Sequence, residues 1–279
     1  MKPSLTFILA AMVLSACTEQ PEGDPILRAE LGEDGAAQEI VPVPEPGFDT
    51  LEPEAEPVSA CRLTSFEQVS LTHCIADPAE HRITTALAPS SGDDAGRFAG
   101  FARDTETDTV EFAMNGGMYG DDLKAIGYFV QDSDRLSELN RADGEGNFHM
   151  KPNGVFFGSD GTWRVLDSDT FFRTVGDRPQ FGTQSGPMLV VEGELHPDFQ
   201  ENGPSRAIRN GVGVDAAGKA HFVISEEPIS FGQFARFFRD RLETPNALYL
   251  DGNISSLWNP ATGRMDSGRV GPLLVVEKK

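Results

Sequence analysis

The sequence AHFVISEEPISFGQFARFFRDRLETPNALYLDG, residues 220–252, contains two apolar runs separated by a helical pattern. The runs at residues 220–225 and 247–250 have the length and composition of buried strands. A strand, a helix and a second strand within about 30 residues predict a βαβ unit, in which both strands are parallel and the crossover is right-handed. We therefore expect the two strands to end at the same edge of one sheet.

The segment between these strands has the signals of a helix. Ser230 and Gln233 have the spacing of a capping box, in which two polar side chains satisfy free amide groups. Pro245 prevents the helix from continuing. The apolar residues that recur at intervals of three and four, and so predict one face packed on the core, are Phe231, Phe234, Ala235, Phe238 and Leu242.

Short apolar runs bounded by Gly and Asp turn signals occupy the rest of the chain after residue 61. They predict hairpins within residues 155–166, 188–195 and 211–225, and a final strand at 272–276. The predicted fold class is α+β: a β-rich mixed-sheet domain with few helices and one βαβ unit near the C-terminus.

Composition limits the classes of function. The 279 residues include 44 Asp and Glu against 23 Lys and Arg, which gives a net charge of −21. A nucleic-acid partner is therefore not expected, because a phosphate backbone attracts basic surfaces. Hydrophobic residues make up 39% of the chain, which is enough for one core. No internal run approaches the roughly 20 apolar residues of a membrane-spanning helix.

The N-terminus has the pattern of an export signal. Lys2 precedes a short apolar run at residues 5–13, and Leu14-Ser15-Ala16-Cys17 resembles the lipobox of bacterial lipoproteins. We expect residues 1–16 to be removed and Cys17 to be lipidated. The protein is then anchored in the cell envelope by its lipid and faces the periplasm, and Thr18 favours the outer membrane. An ordinary signal peptide with an incidental cysteine is the alternative.

Residues 17–60 and 61–279 differ in composition. Residues 18–60 contain twelve acidic residues, one arginine and seven prolines. Such a segment cannot bury enough apolar surface to fold, so we expect a disordered tether. Residues 61–279 are expected to form one domain. Cys61 and Cys74 lie at its start, and in an exported protein they predict a disulfide; two free thiols are the alternative.

Two acidic residues follow the strands of the βαβ unit. Glu226 comes after the first strand and Asp251 after the second. Parallel sheets bind ligands at the loops that follow their carboxyl ends, so we expect the two carboxylates to converge for acid–base chemistry. An Asx turn at Asp251 and a solvated Glu226 are the alternatives.

The run Asn115-Gly116-Gly117 follows apolar residues 112–114 and predicts a strand end with a tight turn. Because glycine lets the backbone approach a ligand closely, we expect the turn amides to face an anion. Asn115 is expected to bind a sugar hydroxyl or a phosphate oxygen. A turn with a purely structural role is the alternative.

Several other polar residues are candidates for a binding site. Arg209 opens a strand, and its guanidinium suits a phosphate; a surface ion pair is the alternative. Lys151 offers a second positive charge to the same ligand; a solvated lysine is the alternative. His149, two residues before it, is a candidate titrating group; a structural histidine is the alternative. Ser185 lacks the nucleophile-elbow motif, so it is expected in a turn or as a hydrogen-bond donor. The sequence requires no cofactor, although residues 143–147 offer oxygen ligands to Ca²⁺.

Five short motifs resemble those of the phosphodiester glycosidase (uncovering-enzyme-like) family and follow one another in its order. They are FAMNGGMY (112–119), KPNGVF (151–156), SGPML (185–189), RNGVG (209–213) and LDG (250–252) followed by SS (255–256). The resemblance covers residues 66–276. It implies an envelope-anchored hydrolase of sugar-1-phosphodiester linkages in cell-surface glycan metabolism, with a sugar phosphate or surface glycan as substrate.

The strand ends of the βαβ unit and these motifs together give the expected site residues. Asp251 and Glu226 are the expected catalytic pair. The expected substrate-binding residues are Asn115, Gly116, Gly117, Lys151, Asn153, Ser185, Gly186, Arg209, Asn210, Gly252 and Ser255. After Asp251, Gly252-Asn253-Ile254 replaces a glycine-rich run of the family. This departure favours the alternative function, a non-catalytic glycan-binding or envelope-assembly lipoprotein.

Overall fold

The computed structural model of the protein describes residues 59–279. The predicted signal sequence, the lipidation site Cys17 and nearly all of the acidic segment lie outside the described residues. Numbered along the chain, the strands are β1 (Cys61–Phe66), β2 (Val69–Ala76), β3 (His81–Leu87), β4 (Val110–Asn115), β5 (Phe129–Gln131), β6 (Asp134–Ser137), β7 (Gly154–Ser159), β8 (Thr162–Asp167), β9 (Phe181–Ser185), β10 (Met188–Val191), β11 (Glu194–Leu195), β12 (Arg206–Ala207), β13 (Asn210–Val214), β14 (Ala220–Ser225), β15 (Ile229–Ser230), β16 (Asn246–Tyr249), β17 (Leu257–Asn259), β18 (Arg264–Met265) and β19 (Pro272–Lys278).

Helices are few and short in this part of the chain. The α-helices are α1 (Phe98–Arg103), α2 (Ser168–Thr174) and α3 (Phe231–Arg236). Single 3-10 turns lie at Thr107–Thr109, Asn147–His149, Gly252–Ile254 and Pro260–Thr262, and a π-helical turn at Phe237–Arg241 continues α3. The β-rich α+β fold class is therefore confirmed.

Three sheets make up most of the structure. The first has the strand order β1-β2-β14-β13-β16-β10-β11, the second β18-β17-β4-β19-β3, and the third β6-β5-β9-β7-β8. A small pairing joins β12 to β15. In the first sheet, β13 is antiparallel to both β14 and β16, so these two strands run in the same direction, as predicted. However, β13 lies between them, and no neighbouring pair in the first sheet is parallel.

The three sheets meet at a common core. Phe112 of β4, Phe156 of β7 and Phe222 of β14 come one from each sheet, and all three are fully buried. The ring of Phe222 contacts the other two edge-on, with centroid distances of 5.2 Å to Phe112 and 5.8 Å to Phe156. Such edge-to-face contacts favour a fixed arrangement of the rings. The aromatic trio therefore links the sheets to one another.

Each sheet also buries its outer face, under one helix. In β14, Phe222 points into the common core and Val223 packs on the opposite side with Phe234 and Phe238 near α3. The second sheet is covered by α1 and the third by α2 in the same way. Because both faces are buried, the central strands read as continuous apolar runs rather than alternating ones.

The predicted helix is confirmed, but half of its capping box is not formed. The Ser230 hydroxyl accepts a hydrogen bond from the Gln233 amide at 3.2 Å. The Gln233 side chain, however, donates to the Glu67 carbonyl at 3.1 Å rather than returning to Ser230. The Gln233 side chain, which the capping box would use locally, therefore makes a tertiary contact with the β1–β2 turn instead.

The predicted hairpins and the disulfide are also found. β7 pairs with β8, β10 with β11 and β13 with β14. Cys61 and Cys74 face each other across the β1–β2 pair and form a disulfide.

A buried histidine pair crosses the first sheet. His73 Nε2 lies 2.9 Å from His221 Nδ1, and His221 Nε2 lies 3.1 Å from an Asp215 carboxylate oxygen. Burial lowers the pKa of His73 from 6.5 to about 3, and the neighbouring charges of His221, Arg62 and Arg241 act in the same direction. His73 is therefore neutral in the folded protein at ordinary pH.

This pKa predicts a pH-dependent stability. The unfolded chain protonates His73 below about pH 6.5, whereas the folded chain does so only near pH 3. Stability is therefore complete above pH 6.5 and is lost as the pH falls towards 3. We expect His73→Gln to remove about 2 kcal/mol of the loss in unfolding free energy between pH 7 and pH 5, measured by urea unfolding. The control is His149→Gln; an unchanged pH dependence in His73→Gln would contradict the assignment.

Candidate active site

The side chain of Asn115 connects two sheets at the end of β4. It is buried, and its Oδ1 accepts hydrogen bonds from the Asn210 side chain and the Ser256 amide, both at 2.8 Å. Its Nδ2 donates to the Asp251 carbonyl at 3.0 Å. Asn115 thus joins the second sheet to β13 and to the segment after β16. Its Oδ1 and one Nδ2 hydrogen have protein partners, so Asn115 is a positioning residue, and its predicted contact with substrate stays a prediction.

The following two glycines extend this connection. The Gly116 amide donates to the Pro272 carbonyl at 2.8 Å, and the Gly116 carbonyl accepts from the Asp251 amide at 3.2 Å. The Gly117 amide donates to Thr183 Oγ1 of the third sheet at 3.0 Å. Both amides therefore have protein acceptors, and they do not form the predicted anion site. A Cβ at Gly117 would overlap the neighbouring strand, which explains the need for glycine there.

Asp251 is held at both of its backbone groups by this turn. Asp251 is only 7% exposed and lies two residues after the end of β16. Burial raises the pKa of Tyr119 to about 12, and the negative charge of Asp251 adds to this rise. The same charge contributes to the raised pKa of Tyr249, for which burial is again the main cause. The Asp251 carboxylate therefore acts on two phenols from a largely buried position.

Arg209 contacts Tyr249 and is almost fully buried. Its Nε donates to the Ile229 carbonyl at 2.9 Å, its Nη1 to the Tyr249 hydroxyl at 3.1 Å, and its Nη2 to Ser205 at 3.0 and 3.1 Å. The guanidinium stacks on Phe231 at 3.6 Å, and burial lowers its pKa. Because Nε and Nη2 already donate to protein groups, this conformation presents no open fork to a phosphate, and the predicted phosphate contact stays a prediction. Arg209 positions Tyr249.

Glu226 is placed at the same sheet edge as Asp251, as predicted, but it belongs to a different group of side chains. Its carboxylate accepts from Arg264 Nη1 at 2.6 Å and from the Thr72 hydroxyl at 2.5 Å. Arg264 also binds Asp266 at 3.0 Å. Strand β13 separates the ends of β14 and β16, so about two strand spacings, roughly 10 Å, lie between the two backbones.

A second group of predicted residues surrounds the ends of β7 and β9. Asn153 is buried and donates to the Phe148 carbonyl at 2.8 Å. A Cβ at Gly186 would lie 2.7 Å from Asn153 Cβ, so close packing requires glycine. The Ser185 hydroxyl is fully buried without a hydrogen-bond partner in the described structure. Lys151 instead points to the surface, where it pairs with Asp143 at 2.5 Å.

Of the remaining predicted residues, Gly252 and Ser255 line an open cleft, and the fully buried Asn210 lies behind Ser255. Asn210 accepts at 3.2 Å from the Ser255 hydroxyl, which also lies 3.1 Å from the Ile208 carbonyl. A Cβ at Gly252 would overlap the Tyr249 hydroxyl. The cleft has a volume of about 750 Å³. It is lined by Ala207, Ile208, Gly252, Ile254, Ser255, Ser256, Met265, Asp266, Ser267 and Gly268.

Three residues near Asp251 were missed by the sequence reasoning. The Tyr119 hydroxyl donates to the Arg269 carbonyl at 2.7 Å, and the Arg269 side chain is exposed, with one hydrogen bond to the Asp121 carbonyl at 3.4 Å. Tyr119 ends the FAMNGGMY motif and Tyr249 lies two residues before Asp251, so their sequence positions link both to the predicted site. Nothing in the local sequence marks Arg269.

No metal centre is evident in residues 59–279: they contain no group of three or more His, Cys, Asp or Glu side chains placed to hold an ion. In the segment proposed to bind Ca²⁺, the Asp143 carboxylate is paired with Lys151. Over the same residues, no helix is long and apolar enough to cross a bilayer.

Comparison with known sequences points to one family. The family described as phosphodiester glycosidase matches residues 108–271, more than half of the chain. A curated relative, the uncharacterized protein YigE of Escherichia coli (strain K12), is 37% identical over 149 residues. This alignment covers 53% of the present chain and 58% of that relative.

Two solved structures share the fold. One is the catalytic domain of zebrafish N-acetylglucosamine-1-phosphodiester alpha-N-acetylglucosaminidase, auto-inhibited by its pro-peptide, with a TM-score of 0.54 and 15% identity over 78% of this chain and 82% of that one. The other is a hypothetical protein from Synechocystis, with a TM-score of 0.52 and 14% identity over 78% and 61% of the two chains. At these identities the likeness concerns the fold.

The hydrogen bonds of Asn115 predict a large effect of its replacement. Asn115→Ala removes the acceptor of the Asn210 side chain and of the Ser256 amide, and the donor to the Asp251 carbonyl. The expected cost is about 1–3 kcal/mol for each buried group that loses its partner. We expect the free energy of unfolding, measured in urea, to fall by at least about 2 kcal/mol. Asn202→Ala, at an exposed position, is the control. Equal stability of the two variants would show that Asn115 does not hold the sheets together.

Proposed function

The chain belongs to the phosphodiester glycosidase family, and on this premise we propose that it hydrolyses the glycosyl–phosphate linkage of a sugar-1-phosphodiester. The observation that carries the proposal is the Asp251 carboxylate, which is largely buried, fixed through both backbone groups and followed by Gly252 in the wall of an open cleft. A fixed, poorly solvated carboxylate is suited to stabilise positive charge that develops during a reaction.

In the proposed reaction, water adds to the anomeric carbon and the bond from that carbon to the phosphate oxygen breaks. The electron pair leaves with the phosphate, which becomes a phosphomonoester, and the free sugar is released. Asp251 stabilises the oxocarbenium-like centre or accepts the proton of the attacking water. Because a phosphate is a good leaving group, one essential carboxylate suffices.

Glu226 is the second carboxylate of the proposal. The backbones of Glu226 and Asp251 lie roughly 10 Å apart, and in ordinary glycosidases the distance between the two carboxyl groups decides between retention and inversion. The charge of Glu226 is balanced by Arg264 in this conformation. We therefore assign it a supporting role and Asp251 the main one.

Arg269 is the guanidinium that we assign to the substrate phosphate. The charges of Arg269 and Asp251 both act on the Tyr119 phenol, which places both near this ring. The backbone supports this placement, because the Asp251 amide binds Gly116, whose own amide binds the Pro272 carbonyl, three residues after Arg269. Unlike Arg209, Arg269 is exposed and retains free donors for a phosphate.

We further propose that the protein acts in the cell envelope, with lipidated Cys17 as its anchor and residues 18–60 as a spacer. The lipobox-like sequence and the acidic, proline-rich composition support this setting. The substrate is then a sugar phosphodiester of a surface glycan.

A second candidate function is glycan binding without turnover. The observation that favours it is the change after Asp251, where Gly252-Asn253-Ile254 forms a 3-10 turn in place of a glycine-rich run. Ile254, the last residue of this turn, lines the cleft that follows the carboxylate.

The decisive variant is Asp251→Asn. We expect it to lower the release of free sugar from α-linked sugar-1-phosphodiesters by about 10²–10⁴-fold, while Asp108→Asn, an exposed control, retains full activity. Free sugar and phosphomonoester are assayed separately, with and without EDTA. Release of sugar phosphate would refute the proposed bond cleavage. Binding of the diester by the wild type without turnover would favour the second candidate function.

A separate variant tests the phosphate contact. Arg269→Ala removes charge-assisted hydrogen bonds, so we expect kcat/KM for the diester to fall by about tenfold or more. Arg269→Lys is expected to recover part of this loss, and inhibition by inorganic phosphate to weaken in parallel. Arg62→Ala, at an exposed position, is the control. Unchanged phosphate inhibition in Arg269→Ala would refute the assignment.

A further inference from the structure

We propose that a groove beside α2, which we call the arginine groove, is a second binding site and takes an acidic oligosaccharide. The groove has a volume of about 810 Å³. The lining residues that carry the argument are Tyr128, Arg135, Glu138, Arg141, Phe172 and Arg178. None of the groove's lining residues lines the cleft beside Asp251.

The charge of the groove opposes that of the whole chain. Three guanidinium groups line it, together with two carboxylates, although the net charge of the protein is −21. Charges separated by more than about 8–10 Å are screened at ordinary ionic strength. A ligand in the groove therefore responds to these local arginines more than to the distant acidic residues.

The arginines are available to a ligand to different degrees. Arg178 donates to the Ser133 carbonyl at 3.2 Å and, within residues 59–279, forms no ion pair. Arg135 pairs with Glu138 at 3.0 Å and Arg141 with Asp169 at 2.8 Å, and all four side chains are substantially exposed. Exposed pairs of this kind are weak, so an incoming anion can replace their carboxylates. Arg178 is the expected anchor.

An aromatic surface accompanies these charges. The Phe172 side chain is 62% exposed, although apolar rings of this size are usually buried, and the Arg141 guanidinium stacks over it at 4.3 Å. The Tyr128 phenol faces the same groove: burial raises its pKa, while the charges of Arg135 and Arg178 oppose that rise.

This combination matches the two chemical parts of an acidic sugar. The C–H face of a sugar ring packs against an exposed aromatic ring, and its carboxylate or phosphate binds a guanidinium. A neutral sugar satisfies only the first contact, and a simple anion only the second. The arginine groove therefore fits an acidic oligosaccharide better than either.

Calorimetric titration of the intact protein tests this site. The probes are tetragalacturonate and the neutral tetrasaccharide maltotetraose. We expect saturable binding of tetragalacturonate that weakens as salt is added, and much weaker binding of maltotetraose. Arg178→Ala and Phe172→Ala are each expected to weaken tetragalacturonate binding on the order of tenfold.

The matched control is Arg173→Ala, which removes an exposed arginine of α2 outside the groove. It should bind as the wild type does, and urea unfolding should show that all variants are folded. Absence of tetragalacturonate binding, equal binding of both probes, or wild-type affinity in Arg178→Ala would each overturn the proposal. Because the assay measures binding alone, its outcome is independent of whether Asp251 supports hydrolysis.

Discussion

The arrangement of the site depends on the hydrogen bonds that converge on Asn115 and the two glycines after it. A polar side chain buried where two sheets meet must satisfy its amide, since an unpaired group is costly there. Asn115 does so through Asn210, Ser256 and Asp251 at once, and Gly117 adds the third sheet through Thr183. These bonds fix the position of β16 against β4, and with it the position of the Asp251 carboxylate.

The polar residues of the site have two different roles. Asn115, Asn210 and Arg209 are buried and bound to protein groups, so they hold the site in shape. Gly252 and Ser255 lie in the cleft wall, and the proposed function assigns the contact with substrate to Asp251, which directly precedes Gly252. Arg209 shows why a guanidinium suits the first role: its planar group donates in several directions and stacks on Phe231 while it supports Tyr249. An arginine in a sequence motif is therefore weak evidence for an anion contact until its burial is known.

The features that were predicted correctly are those that depend on the spacing of residues close together in the sequence. The apolar face of α3, the hairpins and the direction of β14 and β16 follow from spacing along the chain. The position of β13 between these strands, and the pairing of Glu226 with Arg264, depend on contacts between distant segments that no local pattern encodes. The role of a polar residue depends least on local pattern and most on its tertiary partners. Asn115-Gly116-Gly117 has the same appearance whether its amides face an anion or another strand, and the exposed Arg269 has no pattern around it.

On a protein with a net charge of −21, exposed arginines are needed for the binding of an anionic ligand. Residues 18–60 alone carry twelve acidic residues and one arginine, and an anionic substrate approaching such a chain is repelled at long range. Productive binding then requires positive charge concentrated at short range, where screening by salt is least effective. Added salt has two opposing effects under these conditions, since it reduces the long-range repulsion and weakens contacts with exposed guanidinium groups. At ordinary ionic strength the distant carboxylates are already screened and the short-range contacts dominate, so the affinity for an anionic glycan falls as salt is added, whereas the affinity for a neutral glycan does not.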